Sequence, residues 1–206
     1  MHLDKIAMPT KANITGLILA GGRGQRFNNE DKGLIAYKDS TLAEHALARL
    51  TPQTNSLLIS ANRHFEFYEG IGATLIKDEI KDYAGPLAGI HAALNTIETE
   101  WLATIACDTP CFPIDYVSQL ANAIEKSKTL VAVASSQNRL QNISMLVHKS
   151  LYPSLNAFLN AGERKVQIWL EKNNPVIVDF NNPKHAFYNI NTPEDLIAFE
   201  KLNCDV

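Results

Sequence analysis

Short apolar runs alternate with amphipathic segments along the first two thirds of the chain. The runs are strand-sized and rich in Ile, Leu and Val, which is typical of strands buried on both faces of a sheet. The segments between them have helical spacing, and alternation of strand and helix predicts a parallel sheet. The predicted strands are Thr15–Leu19, Ser56–Ser60, Thr74–Ile76, Leu102–Ala106 and Leu130–Ala134, and the predicted helices are Leu42–Leu50, Pro86–Ile97 and Pro113–Ser127.

The pattern changes in the last third of the chain. We interpret this region as the far edge of the same sheet, which allows for an antiparallel strand, because no Pro/Ser/Gly-rich linker separates it. Residues 1–13 have no period and are predicted to be a flexible leader, and residues 14–206 a single domain. The fold class is α/β, a Rossmann-like three-layer sandwich with a mostly parallel central sheet. The late elements are strands at Ser144–His148 and Val176–Phe180 and helices at Leu151–Leu159, Arg164–Lys172 and after Pro193.

Composition narrows the classes of partner. With 206 residues and 46% hydrophobic content, the chain can bury one continuous core. The formal net charge of −3 gives no overall attraction to nucleic acid or an anionic membrane, so phosphate must be bound by a local cluster. No apolar run is long enough to span a bilayer. The N-terminus lacks a secretory signal and the three cysteines cannot all pair with one another, so we expect a reducing cytoplasm.

The first predicted strand is followed by a glycine-rich, cationic loop. Residues 19–27 read LAGGRGQRF, and DKGL follows at residues 31–34. Ligands bind beyond the carboxyl ends of strands in open α/β sheets, and glycine lets backbone amides approach phosphate oxygens. Arg23, Arg26 and Lys32 add positive charge. The loop therefore predicts a triphosphate site, and the alternative is a tight turn with solvated cations.

Two well-known phosphate-binding motifs do not account for this loop. A Walker A loop needs GK followed by Ser or Thr, whereas Lys32 precedes Gly33 and Leu34 follows. The dinucleotide-binding fingerprint needs a small third residue where Phe27 stands. The loop must bind phosphate by a different arrangement.

Two aspartates close predicted strands at the same edge of the sheet. Asp108 follows the buried run Leu102–Ala106, where a carboxylate is costly unless it is paired or coordinated. Mg²⁺ that bridges nucleotide phosphates usually takes one or two protein carboxylates, so Asp108 is the candidate metal ligand. The alternative is an N-cap of the next helix, although Asp115 is closer to that helix. Asp78 closes the third predicted strand at the same edge, where its carboxylate can accept hydrogen bonds from ligand N–H groups.

Other polar positions have two interpretations. GPLAG at residues 85–89 starts a helix, so capping accounts for it as well as a binding pocket does. Asn62 and Arg63 either end a strand or contact a ligand. Cys107 and Cys111 lack a second ligand pair, so we interpret them as packed small hydrophobic residues rather than zinc ligands.

The segment before the last predicted helix carries two asparagines. Asn189 and Asn191 alternate about Ile190, so we expect them to face one side of a strand and to bind a polar ligand. Thr192 and Asp195 form a capping box, which needs no functional explanation. Arg139 and Gln141 precede the predicted strand Ser144–His148 and are further candidates for binding the same polar ligand.

These motifs together resemble one known family. LAGGRGQRF with DKGL, ANRH at residues 61–64, GPLAG and NINTPEDL at residues 189–196 are similar to the signature of the molybdenum cofactor guanylyltransferases. The resemblance implies a fold of the nucleotide-diphospho-sugar transferase type. It also implies transfer of GMP from GTP to the phosphate of Mo-molybdopterin, with Mg²⁺ as cofactor and pyrophosphate as the leaving group. It further implies a monomer, or a weak assembly, that receives the pterin through transient contact with molybdenum-insertion proteins.

The resemblance also assigns roles to residues. The N-terminal part would form the GTP side and the C-terminal part the pterin side. Two departures from the family pattern stand out: Asn28 and Asn29 replace the usual glycines, and Ser60 replaces an asparagine near the base. The implied GTP-binding residues are Leu19, Ala20, Gly21, Gly22, Lys32, Asp78 and Asp108, the catalytic residues Arg26, Lys32 and Asp108, the metal ligand Asp108, and the pterin-binding residues Asn189 and Asn191.

Rival functions remain at this stage. The same loop would serve a molybdopterin cytidylyltransferase or a sugar-phosphate nucleotidylyltransferase, which differ in base or acceptor. A non-catalytic nucleotide-sensing adaptor would keep the glycine loop without a metal-binding acid, and Asp108 argues against it. The chain has no HExxH or GxSxG motif, so hydrolysis by those routes is not expected.

Overall fold

The computed structural model describes residues 6–20, 31–78, 80, 85–181 and 185–202. Within these residues, the core element is a seven-stranded sheet accompanied by a separate two-stranded ribbon. The sheet contains β1 (Ile14–Leu19), β4 (Ser56–Ser60), β5 (Thr74–Ile76), β6 (Trp101–Ala106), β7 (Val131–Ser136), β8 (Arg139–His148) and β9 (Val176–Asp179), and the ribbon contains β2 (Ala36–Tyr37) and β3 (Ser40–Thr41).

The sheet is mostly parallel, as the sequence predicts. Its strand order is β5-β4-β1-β6-β8-β7-β9. Strand β1 lies between β4 and β6 and pairs parallel to both, and β5 extends the parallel part beyond β4. Strand β8 is antiparallel to β6 and β7, whereas β9 is a parallel edge strand beside β7. The C-terminal third therefore joins the same sheet and contributes its antiparallel strand.

Helices cover both faces of the sheet and complete three layers. Consecutive strand residues point to opposite faces, so Leu17 packs into one hydrophobic cluster and Ile18 into the other. The helices are α1 (Leu42–Leu50), α2 (Phe65–Gly70), α3 (Pro86–Thr96), α4 (Tyr116–Ser127), α5 (Tyr152–Asn160), α6 (Val166–Lys172) and α7 (Pro193–Glu200). The cluster on one face draws on α1, α2 and α4, and the cluster on the other face draws on α3, α5 and α6. None of the helices in the described ranges is long and apolar enough to cross a membrane.

Two boundaries differ from the sequence prediction by three residues or more. Helix α4 begins at Tyr116 instead of Pro113, because the Tyr116 amide donates to the Pro113 carbonyl in a turn and Asp115 is the N-cap. Strand β8 begins at Arg139 instead of Ser144, with an irregular register opposite β7. Arg139 and Gln141 therefore lie within the strand and do not precede it.

The described part of the predicted leader is packed against the fold. Residues 11–13 form a short 3₁₀ helix. The buried Trp101 indole donates to the Ala7 carbonyl at 2.9 Å, and Ile6 packs against the core. Residues 6–13 thus contact the core, because a buried indole N–H requires an acceptor and this segment supplies it. The flexibility of residues 1–13 stays a prediction. That residues 14–206 form a single domain stays a prediction.

Candidate active site

The carboxyl ends of the parallel strands meet at one edge of the sheet. The Ala20 amide donates to the Ser60 carbonyl at 2.9 Å, and the Cys107 amide donates to the Leu19 carbonyl at 3.1 Å. These bonds continue the β1 ladders one residue beyond the strands. Leu19 and Ala20, predicted to hold the nucleotide, therefore lie between the ends of β4 and β6 at the edge where ligands bind in such sheets.

Three predicted site residues from distant parts of the chain converge there. Lys32 begins a short 3₁₀ helix, and its Nζ donates to Asp108 Oδ2 at 2.9 Å and to Asn191 Oδ1 at 2.5 Å. The Lys32 and Asp108 side chains are 20% and 17% exposed, so their ion pair is largely shielded from water but open on one side. The structure thus brings a cation and a carboxylate together at the tip of a central strand.

The segment carrying the asparagines is held against the end of β6. The Ile190 amide donates to the Asp108 carbonyl at 2.9 Å, and Thr109 Oγ1 donates to Asn189 Oδ1 at 2.7 Å. The prediction that Asn189 and Asn191 lie on a strand is wrong, because residues 188–191 belong to no strand of the sheet. Their side-chain oxygens accept from Thr109 and Lys32, so both residues face the Asp108 side of the site.

Asp78 is fixed by two neighbours on the other side of this edge. Its Oδ1 accepts from Ser60 Oγ at 3.1 Å, and its Oδ2 accepts from Asn62 Nδ2 at 2.7 Å. The Asp78 amide also donates to Asn62 Oδ1 at 3.3 Å. Ser60 therefore binds the aspartate through its hydroxyl. Asn62, for which strand termination was an alternative, orients the same carboxylate.

Helix α3 closes the site from one face. Gly85 is its N-cap, and Gly89 lies where the helix passes over the end of β4. A Cβ on Gly89 would lie 2.6 Å from Ser60 Oγ and 2.7 Å from Leu19 Cδ2. The second glycine of GPLAG is thus explained by close packing against two site residues, and capping explains only the first.

The thiol beside Asp108 is not a candidate nucleophile. Cys107 is free and buried. Burial, reinforced by the charges of Asp108 and Asp31, raises the pKa of the Cys107 thiol well above its usual range. It remains neutral and packs in the core as a small hydrophobic residue, as predicted. The same interpretation is wrong for Cys111, which is buried but disulfide-bonded.

A polar cleft adjoins the asparagine segment. Its volume is about 390 Å³, and Arg139, Gln141 and His185 contribute polar groups beside Asn189. Arg139 and Gln141 were candidates for this side of the site, and the structure places them in its wall. His185 was not singled out, because a lone histidine outside any motif has no sequence signal.

Several predicted residues lie outside the described part of the chain. The loop residues among them include Gly21, Gly22 and Arg26, together with Arg23 and the asparagines at positions 28 and 29. Their roles stay predictions. Sequence reasoning also missed Thr109 and Tyr68, whose hydroxyls bind site residues across the fold.

A three-layer α/β sandwich with a lysine and an aspartate paired beyond its parallel strands is an architecture that suits a nucleotidyltransferase. Comparison with known proteins agrees with this class. The model of the MobA-like NTP transferase domain matches residues 16–176, and the chain belongs to this family.

Curated relatives cover nearly the whole chain. A molybdenum cofactor guanylyltransferase from Photobacterium profundum is 40% identical over 192 residues, which is 93% of this chain and 98% of the relative. One from Bordetella petrii is 42% identical over 193 residues, with 92% and 98% covered. The similarity therefore extends across both sides of the candidate site.

Solved structures show the same fold. Molybdopterin-guanine dinucleotide biosynthesis protein A from Archaeoglobus fulgidus has a TM-score of 0.74 at 23% identity, covering 89% of this chain and 95% of that one. A 2-C-methyl-D-erythritol 4-phosphate cytidylyltransferase from Thermus thermophilus has a TM-score of 0.68 at 13% identity, with 88% and 95% covered. A Mycobacterium tuberculosis protein, solved as a manganese complex, has a TM-score of 0.66 at 14% identity, with 90% and 97% covered.

Proposed function

We propose that the protein transfers GMP from GTP to the phosphate of Mo-molybdopterin and releases pyrophosphate. The observation that carries this proposal is the Lys32–Asp108 ion pair at the carboxyl edge of the sheet. Both charges lie where a nucleotide phosphate and its counter-cation bind in α/β proteins. The names of the curated relatives support guanine as the base and molybdopterin as the acceptor.

In this proposal the nucleotide binds between Asp78 on one side of the sheet edge and Lys32 on the other. Asp78, oriented by Ser60 and Asn62, accepts hydrogen bonds from the guanine N–H groups. Leu19 and Ala20 contribute backbone groups, and Lys32 donates to the phosphates and stabilises the charge that develops on pyrophosphate. Gly21, Gly22 and Arg26 belong to the same site in this proposal, with the loop shaping the phosphate pocket.

The residues present fit a single Mg²⁺ ion shared with the substrate. Asp108 offers a partly exposed carboxylate, and the described residues contain no group of three or more His, Cys, Asp or Glu side chains that could form an all-protein cage. Mg²⁺ held by one carboxylate and by substrate phosphates needs no such cage. When bound, the ion would neutralise phosphate charge. Lys32, whose Nζ lies 2.9 Å from Asp108 Oδ2, would pair with a substrate phosphate at the same edge.

The reaction is an in-line displacement. A phosphate oxygen of molybdopterin forms a bond to the α-phosphorus of GTP, and the bond from that phosphorus to the α–β bridging oxygen breaks. The electron pair leaves with pyrophosphate, so no covalent enzyme intermediate is needed. Asn189 and Asn191 orient the pterin side, beside the cleft that Arg139 lines.

The setting of the reaction follows from the same proposal. The protein acts in the cytoplasm as a monomer and receives its pterin by transient contact with molybdenum-insertion proteins. Direct handover suits an acceptor that would otherwise diffuse through solvent.

Nucleotide selectivity tests the proposal. Thermal unfolding is measured with Mg²⁺ and each of GTP, CTP, ATP and UTP, because a ligand that binds only the folded state raises its stability. We expect stabilisation by GTP alone, lost in Lys32→Ala. Preference for CTP would support a cytidylyltransferase instead, and stabilisation by none of the four would support a module without this activity.

A further inference from the structure

Asp31 is a buried carboxylate next to the lysine of the site. It is 3% exposed, and its Oδ1 accepts from the Gly33 amide at 3.1 Å and from Tyr68 Oη at 2.8 Å. Its Oδ2 lies 3.3 Å from Arg63 Nε. A buried charge is retained only when several groups compensate for its lost hydration. Asp31, next to Lys32 in the chain, therefore connects the short helix that contains Gly33 with Tyr68 and Arg63.

The position of Lys32 depends on these contacts of Asp31. Lys32 starts a 3₁₀ helix of three residues, Lys32–Leu34, which is too short to hold its own conformation. Yet Lys32 Nζ must reach both Asp108 and Asn191 at hydrogen-bond distance. The backbone from which the lysine extends must be fixed from outside the short helix.

Tyr68, on helix α2, fixes the backbone of the short helix. Its side chain is fully buried, and its hydroxyl lies against Gly33, where a Cβ would be 2.2 Å from the oxygen. Burial, with the nearby Cys107 and Asp31, raises the pKa of the Tyr68 hydroxyl far above its usual range, so it remains a donor. The tyrosine thus contacts the short helix through both its aspartate cap and its glycine.

We propose that Tyr68 and Asp31 are positioning residues that place Lys32 for binding the nucleotide phosphates. Arg63 joins them from the segment that also carries Asn62, the partner of Asp78. The cluster therefore connects the lysine to the base side of the site. This inference rests on the proposed function for its substrate, but its contacts involve no ligand.

The test compares two buried tyrosines. Tyr68→Phe removes one hydroxyl beneath Lys32, and Tyr116→Phe removes one from α4, where Tyr116 Oη donates to the Thr104 carbonyl at 2.8 Å. Both rings are fully buried and both variants lose a buried hydrogen bond, so we expect similar losses in thermal stability. Affinity is measured for GTP, for GMP and for inorganic tripolyphosphate, each in the wild-type and Lys32→Ala backgrounds.

The positioning role predicts a specific pattern. Tyr68→Phe weakens binding of GTP and tripolyphosphate by about fivefold, the equivalent of one hydrogen bond, and leaves GMP unchanged. The loss disappears in Lys32→Ala, because coupled residues are not additive. Tyr116→Phe changes none of the affinities.

The opposite pattern would overturn the inference. If Tyr68→Phe leaves tripolyphosphate affinity unchanged, or weakens it equally with and without Lys32, the tyrosine serves only stability. Tripolyphosphate has no base, so the effect of Tyr68→Phe on its affinity can be interpreted even if GTP is not the preferred nucleotide. A failure of guanine selectivity therefore counts against the proposed function and not against the positioning role.

Discussion

Replacing Gly89 with alanine tests whether α3 forms a wall of the nucleotide site. The new methyl group would lie 2.6 Å from Ser60 Oγ, 2.7 Å from Leu19 Cδ2 and 3.0 Å from Ser60 Cβ. The hydroxyl can rotate away only by giving up its 3.1 Å hydrogen bond to Asp78. Two residues of the site must therefore move to admit one methyl group.

The opposing effects on stability can be compared. Alanine is favoured over glycine inside a helix by about 0.8–1.0 kcal/mol. Loss of the Ser60 hydrogen bond costs about 1 kcal/mol, and crowding of packed side chains costs about 1–3 kcal/mol. We expect a net loss of about 1–3 kcal/mol, which lowers the Tm of a chain of this size by roughly 2–4 °C per kcal/mol.

The effect on binding should be specific to the site. Because the Asp78 carboxylate loses a partner and Leu19 is displaced, we expect GTP affinity to fall about tenfold, a change of about 1.4 kcal/mol. Isothermal titration calorimetry with GTP measures it. Gly70→Ala at the end of α2 is the matched control, since a Cβ there meets nothing within 4 Å. Unchanged GTP affinity in a folded Gly89→Ala variant would refute the placement of α3 at the nucleotide.

Two further predictions concern Asn62 and His148. Asn62→Ala removes the 2.7 Å hydrogen bond to Asp78, so GTP affinity should fall about fivefold while Tm hardly changes, because Asn62 is exposed; equal affinity in titrations of both proteins would count against Asp78 orientation. Burial lowers the pKa of His148. Between the ordinary histidine pKa and the lowered pKa of the folded state, the unfolded state binds more protons than the folded state. The stability contributed by neutral His148 is therefore complete above the ordinary pKa and is lost as pH falls from there through the lowered pKa. Urea unfolding of His148→Gln between pH 7 and 5 should show a shallower loss than wild type, and an identical slope would contradict this.

The architecture was predictable because it depends on local patterns. Apolar runs and helical spacing gave β4 and β5 at their observed bounds, since buried strands and amphipathic helices have distinct periods. Helix α1 was likewise predicted at its observed bounds, where Thr41 and Glu44 form a capping box. Sequence patterns do not reveal contacts that tertiary packing decides, such as the hydrogen bond from the Trp101 indole to the Ala7 carbonyl.

Site residues were predictable only where they belong to a sequence motif or follow a predicted strand. Strand ends placed Asp78 and Asp108 at one edge, because parallel strands share their carboxyl direction. The contact between Lys32 and Asn191 spans 159 residues and has no sequence signal. The same holds for the hydroxyl of Tyr68 on Asp31, which only the packing of α2 reveals.

Turnover of Asp108→Asn tests the central claim most directly. The substitution keeps the size of the side chain and removes its charge, so we expect an unchanged fold and a loss of GTP-dependent pyrophosphate release of at least about 10²–10³-fold. Asp115→Asn is the matched control, because Asp115 is the exposed N-cap residue of α4 and its carboxylate accepts from Gln119 Nε2 at 2.8 Å. Pyrophosphate release is measured with GTP and molybdopterin for wild type and both variants. Loss of release in Asp108→Asn alone is the predicted result, and normal release by Asp108→Asn would contradict the account.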